Sequence, residues 1–192
     1  MHKIHVTEGL VLGKRGVGEA NTLVSLLTEE LGLVRVSARS ARFEKSKLRY
    51  GLESLTHARY SMVRGKYEWK LTGVESASRE FVSATPRLRQ RAGKISKLLL
   101  RLIHGEEPVP AVYRTVMEGF AALARAPEEA AADAIESVVV LRIIAHLGYL
   151  PHMQALSQFI EGEYSVELSA QALRDRALLV RTINESLSAT GL

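Results

Sequence analysis

Residues 12–23 read LGKRGVGEANTL, and two kinds of fold compete for them. Three glycines interleaved with Lys14 and Arg15 suit either the phosphate cradle of a nucleotide-binding α/β domain or a connection between two strands. The order of the parts separates the two. A P-loop carries its lysine and a hydroxyl directly after the last glycine, where the first N–H groups of a helix point at the phosphates. Here the lysine comes first, and Gly18 is followed by Glu19 and Ala20, so a carboxylate would face the anion. Gly13, Gly16 and Gly18 also run G-x-x-G-x-G, not the G-x-G-x-x-G of a dinucleotide site. The stretch reads as a basic connection that shapes a corner between strands.

Period two continues on both sides of it. Ile4, Val6, Leu10 and Leu12 alternate, then Val34, Val36 and Ala38, then Tyr67, Trp69 and Leu71, with turn signals at Gly16 and Gly18, Glu30 to Gly32, Gly51 and Gly65. About five short strands within roughly seventy residues predict a small Greek-key barrel of the OB type, which removes its exposed edges by closing.

After Ala84 the period changes to that of helices. Thr85 and Pro86 read as an N-cap and first turn, and Leu88, Ala92, Ile95, Leu98, Leu99, Leu102 and Ile103 line one face. Further helices are predicted from about Ala111, over about Glu128–Leu147, near His152 to Ile160, and from about Ala170 to Leu187. The run VVVLRIIAHL, apolar nearly all round, predicts a central helix. The expected class is α+β, an N-terminal five-stranded OB-type β-barrel over residues 1–80 followed by an all-α helical domain over 81–192.

Charge divides the 192 residues as the periodicity does. Residues 1–101 carry +11, of which 81–101 contribute 6 Lys/Arg and no acid, whereas 102–192 carry −6. A basic half of this kind suggests a polyanionic partner. With no cysteine, disulfides, iron–sulfur clusters, thiolate zinc sites and cysteine nucleophiles are excluded. No run reaches a membrane span and MHKIHVTEG has no continuous apolar core of a signal peptide, so a cytoplasmic protein without membrane contact is expected.

In the strand from Leu33 to Arg39, inward Val34, Val36 and Ala38 turn Arg35, Ser37 and Arg39 outward. ARFEKSKLRY then adds Arg42, Lys45, Lys47 and Arg49 around Phe43 and Tyr50, a segment read as a flexible basic arm. Lys14 and Arg15 stand on the first connection. On the first helix, Arg87, Arg91, Lys94, Lys97 and Arg101 fall within about 120° of arc opposite the apolar face. Such a helix face is as often merely solvated. Two basic surfaces together predict a groove that tracks a phosphate backbone, with Tyr60, Tyr67 and Trp69 as aromatics for base stacking; Trp69 shares its face with Leu71, which favours core packing instead.

Laid out this way, the chain resembles the RecO family of bacterial recombination and repair mediators. TEGLVLGKRGVGEANTLVSLLTEELGLVRVSARSAR over 7–42, SKLRYGLESLTHARYSMVRG over 46–65 and HLGYLP over 146–151 carry the resemblance. It places Gly18-Glu19 at the corner after the opening strand. It implies an OB barrel followed by a helical domain, binding to single- and double-stranded DNA, annealing, engagement of the tail of the single-strand-DNA-binding protein, and work with RecR to help RecA load in the bacterial nucleoid. Many members carry a four-cysteine zinc site shortly after G-Y-x-P, here Gly148, Tyr149 and Pro151. In its place, packing of Leu156 and Phe159 against the last helix is expected.

No motif calls for a cofactor or a catalytic role. His146 with His152, and His2 with His5, lack a third ligand at metal spacing, and neither a G-x-S-x-G elbow nor H-E-x-x-H occurs. The residues alone also leave open an OB-type RNA-binding module or an adaptor acting through its acidic helical half.

Overall fold

The computed structural model describes residues 3–150, 154–189 and 191. Five strands, β1 (Ile4–Val17), β2 (Asn21–Thr28), β3 (Gly32–Ala38), β4 (His57–Arg64) and β5 (Trp69–Ser78), close into a barrel in the order β1-β2-β3-β5-β4. Only the short β3–β5 pairing is parallel. Val11, Val24, Leu26, Val34, Val36, Ala58, Tyr60, Met62, Trp69 and Leu71 fill the interior. The expected OB-type barrel is therefore present, with β3 alternating as its sequence requires.

Strand β1 keeps period two but presents the opposite face. Its register slips between Val11 and Gly13, a bulge at Leu12, and it is Val11 that enters the interior. Ile4 and Val6 are exposed, while Leu10 and Leu12 are buried on the outside of the barrel. The cover there is helix α1 (Pro86–Leu102), which packs on β1. Thr85 caps α1 by accepting from the Leu88 N–H at 3.3 Å. Gly13 and Gly16 lie within β1, so the corner itself is formed by Gly18, at φ +60°, through Ala20. Gly32 closes the next turn at φ +68°, and a Cβ there would meet the Glu107 carbonyl oxygen at 2.0 Å, so only glycine fits.

Because α1 packs on the barrel, the compact units are Met1–Pro110 and Ala111–Leu192. The change from strand to helix falls earlier, between Ser78 and Pro86.

The second unit holds α2 (Pro110–Arg125), α3 (Glu129–His146), α4 (Ser157–Ile160), α5 (Val166–Arg174) and α6 (Arg176–Ala189). The predicted last helix is two, broken at Asp175, and its first half starts at a Ser165 cap that accepts from the Leu168 N–H at 3.1 Å. The predicted central helix is α3: α4, α5 and α6 pack on it, and Gly119 of α2 approaches Val139 too closely to admit a side chain. Among the described residues no helix is long and apolar enough to cross a membrane.

Arg142 of α3 is buried and donates through Nε to the Phe159 carbonyl at 2.7 Å. Leu156 and Phe159 are fully buried, and the helix they join, α4, packs chiefly on α3 rather than on the last helix. The Arg142 guanidinium also lies 4.3 Å from the Tyr164 ring centre. Burial pushes the Tyr164 hydroxyl up to about 12, against the opposing pull of Arg142. A raised folded pKa means that this contribution to stability is complete below pH 10.0 and is lost as pH climbs toward 12. The unfolding free energy of a Tyr164→Phe variant is expected to fall less steeply over that window than that of the unchanged protein. Parallel curves from denaturant titrations would contradict it.

Candidate nucleic-acid interface

The outward face of the first three strands gathers the cations. Gly13 pairs with Ser25, and Ser25 with Arg35, so one row crosses three strands with Arg35 at its end and no side chain at its start. This row borders an open depression of about 450 Å³ lined by Lys14, Arg15, Arg35, Leu23 and Leu100 among others. A second depression of about 420 Å³ is lined by Lys14, Arg15, Arg42 and Arg49 over Thr22 and Leu52. Lys14 and Arg15 belong to both, so the two form one basic strip from Arg35 to Arg49. Gly13 and Gly16, which the sequence suggested as corner residues, act here by leaving the strip open.

The segment expected to be a flexible arm is a chain of turns tied to the barrel. Backbone N–H groups of Phe43, Ser46, Arg49 and Gly51 donate to the carbonyls of Ser40, Phe43, Ser46 and Leu48 at 3.0–3.3 Å. Ala41 and Leu52 are anchored in the core. Arg42 is the fastening: its backbone N–H reaches the Ala20 carbonyl at 3.1 Å, and Nη1 donates to the Gly18 carbonyl at 2.8 Å. The missing Gly16 side chain makes room, since a Cβ there would stand 3.3 Å from Nη1. One of five guanidinium N–H groups is engaged with Gly18, which leaves others for an anion.

Around the barrel, pairing is uneven. Arg59 meets Glu8 at 3.2 Å, Arg64 meets Glu106 at 2.5 Å and Arg79 meets Glu53 at 2.7 Å. His57, 3.4 Å from Glu8, is held below its ordinary pKa by burial, which outweighs the carboxylate, so it adds little charge at neutral pH. By contrast, among the described residues no ion pair involves Lys14, Arg15, Arg35, Arg39, Lys45, Lys47 or Arg49. Unpaired like charges on one face repel each other and raise the local potential, a field suited to a polyanion.

Other predicted residues are not brought to the strip. Arg39, Lys45 and Lys47 are exposed beside it and line neither depression. Nor do Arg87, Arg91, Lys94 and Arg101, because α1 borders the strip through Leu100, so these two hollows are not the expected groove between two basic surfaces. Tyr60 and Trp69 are core residues; the Tyr60 hydroxyl donates to the Gly51 carbonyl at 2.8 Å, and His5 meets Trp69 edge-on. Tyr67 is exposed beneath Lys66. Among the described residues no three His, Asp or Glu converge; His2, Pro151 and His152 lie outside those residues.

Residues 1–78 match the family model described as recombination protein O, N-terminal. The chain is 28% identical over 156 residues to DNA repair protein RecO of Exiguobacterium sibiricum, covering 78% of this chain and 59% of that one. The protein of the same name from Bacillus velezensis is 25% identical over 173 residues, 90% of this chain and 66% of that one. Residues 1–78 therefore form a domain of the RecO N-terminal family. A Dehalococcoides mccartyi RecO is 40% identical over 70 residues, 36% of this chain and 28% of that one. The chain thus spans less than two thirds of the length of each of these three relatives. Without cysteine it cannot provide a thiolate zinc site; where the resemblance would put one, Leu156 and Phe159 are buried and the Phe159 carbonyl accepts from Arg142.

Proposed function

We propose that this chain is a DNA-binding mediator of recombinational repair that binds and anneals single-stranded DNA, also holds duplex, and helps RecA to load together with RecR and the tail of the single-strand-DNA-binding protein. The observation that carries the DNA-binding part is the basic strip, where Lys14, Arg15, Arg35 and Arg49 stand together without carboxylate partners among the described residues. The match of residues 1–78 to the RecO N-terminal family, with relatives named DNA repair proteins, supports the repair setting and the named partners.

Phosphates replace water and counterions at the strip, and release of those counterions drives association. Two strands held beside the same cations repel each other less, so they approach closely enough to pair. Base pairing supplies the specificity, and no chemical step is needed.

Fluorescence anisotropy with labelled single-stranded DNA, single-stranded RNA and duplex DNA across a salt series tests this. Binding to single-stranded DNA should weaken with salt at a logarithmic slope near −0.7 per phosphate contact. Absence of DNA binding at low salt overturns the reading, and tighter binding to RNA of matched length overturns the choice of DNA.

A further inference from the structure

We propose that Phe43 and Tyr50 are base-stacking platforms beside the basic strip and give it selectivity for single strands; the proposal rests on the strip being a nucleic-acid site. Phe43 is 58% exposed and Tyr50 63% exposed. Each follows directly on a cation that lines the second depression, Arg42 and Arg49. Both sit on the run of turns pinned to the barrel, so their exposure belongs to an ordered segment whose neighbours Ala41 and Leu52 are buried.

The other rings of the barrel have partners. Tyr60 and Trp69 are internal, and Lys66 stands 5.0 Å over Tyr67. Among the described residues Phe43 and Tyr50 have no ring or cation partner. Two open π-faces, about seven residues apart along a strip of unpaired cations, provide what a single strand needs: charge for its backbone and a flat apolar surface for bases that are not already stacked. A duplex hides those base faces inside its own stack, so the rings add nothing to duplex affinity. Selectivity for single strands follows without any reading of sequence.

Phe43→Ala, Tyr50→Ala and Tyr50→Phe are compared with the unchanged chain on three probes of equal length: a single strand, a strand of abasic sites and a duplex. Each alanine variant is expected to bind the single strand about five- to a hundredfold more weakly, with the salt slope unchanged because no phosphate contact is lost. Affinity for the abasic strand and the duplex should stay level, and Tyr50→Phe should behave as the unchanged chain. Equal losses on the abasic strand would make the rings supports for the strip and overturn the proposal. Unaffected alanine variants in a chain that binds single strands would overturn it too, leaving the strip intact. If the unchanged chain binds no DNA, the strip reading fails first and this one with it.

Discussion

Replacing Arg15, Arg35 and Arg49 together by glutamine should weaken binding to single-stranded DNA about a hundredfold at 0.1 M salt and lower the salt slope by about 2. Each phosphate contact on a single strand contributes about 0.7 to that slope. Three contacts therefore contribute about two decades of affinity at one decade below 1 M salt. Position sets these three apart: Arg15 lines both depressions, Arg35 the first and Arg49 the second. Among the described residues none of them forms an ion pair or a side-chain hydrogen bond, so their removal relieves repulsion and should leave thermal stability level or slightly raised. Arginine-to-lysine changes at the same positions should retain the slope. The same change at Arg59, Arg64 and Arg79, whose charges are already matched by Glu8, Glu106 and Glu53, should leave the slope where it was. A slope unmoved by the first set would remove the strip from consideration.

Arg42 differs from these three, because its guanidinium holds the Gly18 carbonyl. In the linear text it is one cation among four; in the fold its guanidinium fastens the Gly18 corner to the segment that follows β3. An Arg42 variant would therefore mix loss of charge with loss of shape. The sequence can count charges, but whether a charge is matched depends on contacts such as Arg59 with Glu8, 51 residues apart.

The same limit explains the other differences. Alternation in β3 was legible because one side of that strand faces the interior and Arg35 faces water. Alternation in β1 was equally visible, but it does not say which side is the interior: Val11 enters it and Leu10 and Leu12 do not. Leu10 and Leu12 are buried by a helix that begins more than seventy residues later, and local periodicity cannot tell an interior from an exterior that is covered. Asp175 is neither glycine nor proline, so no breaker marks the gap between α5 and α6, where Gln171 donates through Nε2 to the Asp175 carboxylate at 2.6 Å. Ser165 is a residue type that caps helices, and it starts α5 earlier than the predicted Ala170.

Phe159→Ala is expected to cost about 3–5 kcal/mol of stability, as large an effect as a single side chain of the second unit should produce. Helix α4 is four residues long, too short to persist by its own hydrogen bonds, so burial must hold it. Phe159 and Leu156 are both fully buried, and Arg142 secures the same turn through the Phe159 carbonyl. Among the described residues the Arg142 Nη2 is buried without a hydrogen-bond partner. The resemblance implies a zinc clamp near this turn in many members; here Phe159 is buried and Arg142 binds its carbonyl. Two measurements separate these ways of holding a turn. Chelator should leave the melting temperature of the unchanged chain where it is, and Phe159→Ala should lower it by many degrees. A mild effect of the substitution, below about 1 kcal/mol, would mean that the cavity collapses readily and that the corner is held elsewhere.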